Sequence, residues 1–268
     1  MKKYILTFLL LFNFTIVKSQ TDITFTEDNY KIDNILTTLF EGEFNYKTLE
    51  CKWKPNTAEK LQFGESADGY LYTKLDTSFA YKTKYLPKIT VVATTYVKDE
   101  SGEKISCHAC SPSFSVIVFV YDPSKKTFKL DSFFKYVNRY GGWGEPGYST
   151  PLKIDEFNTL LKVSTFYSGQ GLTSEYVTLY EDGYNLLTFT AYEDNSGTTD
   201  DKSKLYEFNT KIVVDDVNGK LILTKKGTEV NDKTKKVIKV NQIIIYKFEN
   251  GSLEKISTQN LLQKKKKK

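Results

Sequence analysis

The chain has 268 residues, 40% hydrophobic and 26% charged, with 19 tyrosines, 18 phenylalanines, three cysteines and one histidine. This is ordinary globular composition, with length enough for a full core and an aromatic content that favours strands. The formal charge of +5 falls to +2 without Lys2, Lys3 and Lys18, and to −3 without Lys264 to Lys268 as well. With Arg139 the sole arginine, the body has no clustered basic face for nucleic acid.

Met1-Lys2-Lys3, the apolar run "YILTFLLLFNFTIV" and Val17-Lys18-Ser19 read as a secretory signal peptide over 1–19. The run is shorter than the roughly 20 apolar residues that span a bilayer. An uncleaved signal anchor is the alternative. No cysteine follows the run, which argues against a lipoprotein, and no second segment is apolar over a spanning length. The expected organisation is the signal at 1–19, a single β-rich domain at 20–263 and a basic tail at 264–268. The expected location is secreted or periplasmic.

In "TEDNYKIDNILTTLFEGEF", Ile32, Ile35, Leu36, Leu39 and Phe40 recur at helical spacing, with Thr26 or Asp28 as the cap and Gly42 as the stop. The pattern then changes. Segments 69–75 and 79–86 alternate as strands. Segments 88–97 and 113–122 are apolar on both faces, as central strands are. Residues 127–137 return after the turn "DPSKK". From 160 onward six strand-like segments alternate with turns such as Glu181-Asp182-Gly183, Asn218-Gly219 and Asn250-Gly251. The fold class is mainly β: a large antiparallel meander forming a barrel, sandwich or curled sheet, with one N-terminal amphipathic helix. Any boundary between two lobes falls near 141–151, and the longest loop is the acidic 193–204.

One histidine removes most triad and metallohydrolase templates, and no G-x-S-x-G or H-E-x-x-H is present. Gly142, Gly144 and Gly147 match G-x-G-x-x-G, but Pro146 and Gly147, with Tyr148-Ser149-Thr150-Pro151 after them, do not open a helix, so this is a loop. A glycan hydrolase working through two carboxylates is one alternative.

In "ISCHACSPS", Cys107 and Cys110 flank His108. Ser111-Pro112 and a β-branched strand come next, so the helix that lowers a thiol pKa in redox C-x-x-C motifs is missing. A structural disulfide is the plain reading in an oxidising compartment: Cys107 with Cys110, or Cys51 with one of them. The alternative is a metal- or thiol-active centre of Cys51, Cys107, His108 and Cys110. No cofactor is expected.

Two glycine-rich aromatic loops remain, 139–148 and 167–171. Loops on rigid β scaffolds carry binding function. His108, Arg139, Tyr140, Trp143, Glu145, Tyr167 and Gln170 form the expected binding rim, suited to a sugar or peptide. The tail is a candidate for contact with anionic surfaces.

The Cys-His-x-Cys turn at 107–110, the Gly-Trp-Gly loop at 142–144 and the Gly-Gln-Gly turn at 169–171 together resemble a loose set of uncharacterised secreted bacterial proteins. The resemblance covers about residues 85 to 190 and implies no activity. The sequence thus reads as a secreted or periplasmic non-enzymatic binding or structural protein, its partner a glycan or cell-surface component.

Overall fold

The computed structural model describes residues 23–64, 66–106, 111–139 and 147–262. The proposed signal peptide, Cys107, His108, Cys110, Tyr140, Trp143, Glu145 and the lysine tail lie outside these residues.

The first half comprises β1 (Thr24–Thr26), α1 (Ile32–Phe40), β2 (Glu43–Asn45), β3 (Glu50–Trp53) and α2 (Thr57–Phe63). It continues with β4 (Leu71–Tyr81), β5 (Lys88–Tyr96), β6 (Ser113–Asp122) and β7 (Thr127–Arg139). These strands form one antiparallel sheet in the order β1-β7-β6-β5-β4-β3-β2. The second half is β8 (Tyr148–Lys153), β9 (Thr159–Gly169), β10 (Leu172–Glu181), β11 (Tyr184–Asp194), β12 (Glu207–Asp215), β13 (Lys220–Val230), β14 (Val237–Glu249) and β15 (Ser252–Asn260). It is a pure meander, each strand beside its sequence neighbours. One of the two sheets is curled as a half-barrel.

Because β1 and β2 lie at opposite edges, α1 must cross the face of the first sheet. Its stripe of Ile35, Leu36, Leu39 and Phe40 is buried there against Trp53, Ala93, Ile117 and Phe119. The sheet's other face packs on the second sheet. Val92, Phe114, Val116 and Val118 meet Leu161, Val163 and Tyr180. β5 and β6 are therefore covered on both sides, which is why their sequences lack polar alternation. A third cluster, including Ile154, Leu179, Leu221 and Leu223, fills the second sheet.

Four local expectations change. The segments 69–75 and 79–86 are not two strands. β4 runs unbroken from Leu71 to Tyr81, with a register shift between Leu75 and Thr77. One residue inserted at Asp76 breaks the alternation that marks a single strand. Helix α1 starts later than its proposed caps, at Ile32 after Lys31, with no side-chain cap. Thr26 instead accepts backbone bonds from Asn29 and Tyr30 in the preceding turn. Gly42 does follow the helix, but Glu41 holds the left-handed cap at φ 55. Gly42 is needed because a Cβ there would lie 2.5 Å from the Lys52 carbonyl oxygen. Finally, α2 is an additional helix. Asn56 and Glu59 form a reciprocal capping box at its start.

Candidate binding site

β9, β10 and β11 have two faces. One packs on the second sheet's own core through Leu160, Val177 and Leu179. The other begins with Leu161, Val163 and Tyr180 in the shared cluster between the sheets. Beyond that cluster this face is partly exposed: Tyr167 and Tyr176 reach solvent, while Ser174 between Tyr167 and Glu193 is fully buried. Register fixes its occupants, since paired residues share a face. Tyr176 pairs with Thr165 and Thr190, Thr178 pairs with Thr188, and Ser174 pairs with Tyr167 and Glu193. Tyr167 and Tyr176 are diagonal neighbours, roughly 7 Å apart. They are 37% and 38% exposed.

A third tyrosine completes the patch. The Tyr206 hydroxyl donates to Glu193 Oε1 at 2.7 Å. Burial and the Glu193 carboxylate push this phenol up to about 12, so it remains a neutral donor at physiological pH. The loop between β11 and β12 places Tyr206. Asn195 accepts from the Tyr206 backbone N–H at 2.7 Å and donates to the Lys204 carbonyl at 3.0 Å, closing the loop's neck. Gly197 N–H donates to the Gly171 carbonyl at 3.1 Å and pins its far side. Gln170 and Gly171, both with positive φ, make the two-residue turn from β9 to β10. Ser174 Oγ lies buried beside these groups without a partner. The result is a tyrosine platform edged with threonine hydroxyls and one carboxylate.

Of the sequence-derived site residues, Tyr167 and Gln170 belong to this region. Arg139 does not point there. Its guanidinium donates to the Gln62 carbonyl at 2.8 Å, at the end of α2, on the α1 side of the first sheet. Cys51 lies beneath α1. Its thiol approaches the Leu36 carbonyl at 3.6 Å, and burial pushes it up to about 11. Tyr176, Glu193 and Tyr206 were not singled out from the sequence. Pairing across β9–β11 brings Tyr176 and Glu193 together and the β11–β12 loop adds Tyr206, and single-strand patterns carry no signal for it.

Polar clusters also occur elsewhere among the described residues, two of them built on the first sheet. On β3–β5, Lys52 lies over the Tyr70 ring at 4.1 Å and Lys98 over Tyr72 at 4.3 Å. Glu50 and Asp68 neutralise these lysines at 2.8 and 2.9 Å. Against the cost of burial, hydrogen bonds from Tyr72 and Lys52 bring Asp68 down to about 2. Its charges are matched internally. The second cluster joins the sheets. Lys88 Nζ binds Asp131 at 2.8 Å and Asp182 at 2.6 Å, and the Tyr81 hydroxyl donates to Asp182 at 2.9 Å. Burial and the neighbouring Asp182 raise Glu181. Among the described residues no group of three or more acidic, cysteine or histidine side chains is arranged to hold a metal. Among them, too, no helix is long and apolar enough to cross a membrane.

No family model, curated protein or solved structure matches the chain.

Proposed function

We propose that this is an extracytoplasmic, non-enzymatic binding protein whose ligand is a neutral glycan held on the tyrosine platform of β9–β11. The carrying observation is that Tyr167 and Tyr176 are diagonal neighbours on one sheet face, each more than a third exposed. Flat rings offer apolar faces to the C–H side of a sugar, and they lose little entropy on binding. Thr165, Thr178, Thr188, Thr190 and Glu193 supply donors and acceptors for its hydroxyls. The signal-like N-terminus delivers the chain to where such glycans occur, and Cys107–Cys110 is proposed as a staple of its turn.

Affinity electrophoresis against laminarin, xyloglucan and starch tests this reading. Retardation by at least one is expected. Tyr167→Ala and Tyr176→Ala should each weaken it about tenfold, or ~1.4 kcal/mol. No retardation in any gel, or retardation unchanged in the double variant, would refute it.

A hydrolytic reading draws on Glu181, which burial and the neighbouring Asp182 raise, as a general acid requires. Against it, both aspartates of that cluster are held by Lys88, Asp131 at 2.8 Å and Asp182 at 2.6 Å. The measurement is reducing-sugar release from the same polysaccharides. None is expected, and release abolished by Glu181→Gln would favour the hydrolase.

A further inference from the structure

The outer face of β12–β15 turns away from the second sheet's core. Its rows follow from register. Val213, Ile222, Ile245 and Ser257 lie abreast, and Lys211, Thr224, Ile243 and Gln259 form the next row. None of the four aliphatic residues belongs to a core cluster, although Ile212, Leu223 and Ile244 beside them do. Val213 is 54% exposed. Ile222, Ile243 and Ile245 are half-buried, so the face is an aliphatic row across three adjacent strands with Val213 as its exposed member.

Its surroundings are basic. Lys211, Lys220, Lys226, Lys239 and Lys247 share the face with Glu207, Asp215, Glu249 and Glu254. The β13–β14 turn adds Lys233, Lys235 and Lys236 against Asp232, and the β12–β13 turn adds Asp216. Lys247 is paired with Glu249 at 3.2 Å. Eight lysines against six carboxylates leave +2. Residues 20–263 sum to −3, so the remainder of that body carries −5. Charge is therefore segregated toward this face. The strand at its margin, β15, leads within a few residues to Lys264–Lys268.

We propose that this face docks on an anionic lipid surface, the aliphatic patch entering the headgroup boundary and the lysines pairing with phosphates. Aliphatic side chains ringed by lysines are the combination that interfacial binding requires. A carbohydrate would not use the Val–Ile centre, and a second copy would set lysine against lysine. This proposal is independent of the glycan platform on β9–β11.

The test is co-sedimentation of the full mature chain with phosphatidylglycerol–phosphatidylcholine vesicles and with pure phosphatidylcholine vesicles. The chain should pellet with the anionic vesicles only, and added salt should release it. The exposed triple variant Lys211→Gln/Lys226→Gln/Lys247→Gln should reduce partitioning on the order of a hundredfold. Val213→Thr/Ile245→Thr, which keeps β-branched residues in the strands, should weaken it about tenfold. Three results would overturn the proposal: no pelleting; pelleting that depends on Lys264–Lys268 but ignores both face variants; or a dimer in sedimentation velocity that the aliphatic variant dissolves.

Discussion

Gly171 and Gly197 meet so closely that neither position has room for a side chain. A Cβ on Gly171 would fall 2.0 Å from the Gly197 carbonyl oxygen, and Gly171 also needs φ +80. Gly171→Ala should therefore cost about 2 kcal/mol in urea denaturation, from the clash and the left-handed backbone together. It should also weaken glycan retention, because the loop carrying Tyr206 is displaced. The sequence displayed this turn as a glycine-rich stretch beside an aromatic residue, which is why Tyr167 and Gln170 stood out there. The reason for Gly171 was not legible: its partner is 26 residues further on, inside a polar loop. Cys51 is the converse case. As a residue type it invited pairing with Cys107 or Cys110, yet its neighbours are the core under α1 and its raised pKa disfavours the thiolate. In the folded protein Cys51 should resist alkylation until denaturant is added, and the proposed Cys107–Cys110 staple should leave the mass short by one pair of hydrogens. Rapid labelling of Cys51 in native buffer would argue against this placement.

At the scale of elements, sequence patterns located β5, β6 and β7 closely: β5 and β6 as runs apolar on both faces, β7 as the strand that returns after a turn. They failed at β4, where the bulge at Asp76 shifts the phase, and at α2, a helix of only seven residues. The N-T-A-E stretch at 56–59 did carry a helix signal through its capping box. Asn56→Ala should lower stability by about 1 kcal/mol, measured by thermal melting. Lys135 reinforces the docking of α2 through its ion pair with Glu59 at 2.5 Å and its position over Trp53 at 4.0 Å. The β3–β5 lattice gives a pH prediction. Asp68 is held at about 2, below an ordinary aspartate near 3.9. A lowered carboxyl pKa stabilises the fold above the unfolded value, and that contribution disappears as pH falls through the folded one. The stability deficit of Asp68→Asn should be full at neutral pH and vanish between about pH 4 and pH 2.

Over the whole molecule, two sheets share a cluster in which Phe114 meets Tyr180 edge-on with ring centroids 5.5 Å apart. The first sheet is also covered by α1, and the second encloses a core of its own. Phe114→Ala should destabilise by roughly 3–5 kcal/mol. It should speed amide exchange in β9 and β10 as well as in β5 and β6, because one side chain belongs to both sheets' packing. The sequence made the β class and the meander legible, since both rest on neighbouring strands and turn chemistry. It could not reveal which strand faces of the two sheets meet, nor that one face of β9–β11 continues past that contact into solvent. Those depend on pairings far apart in the chain, and the platform depends on them too.

The most direct measurement is an NMR titration of the isotope-labelled protein, residues 20–268, with whichever polysaccharide retards it. Shift changes concentrated at Tyr167, Gln170, Tyr176, Glu193 and Tyr206 are predicted. Changes centred on Lys52, Tyr70 and Tyr72, or none at the platform at saturating ligand, would contradict it.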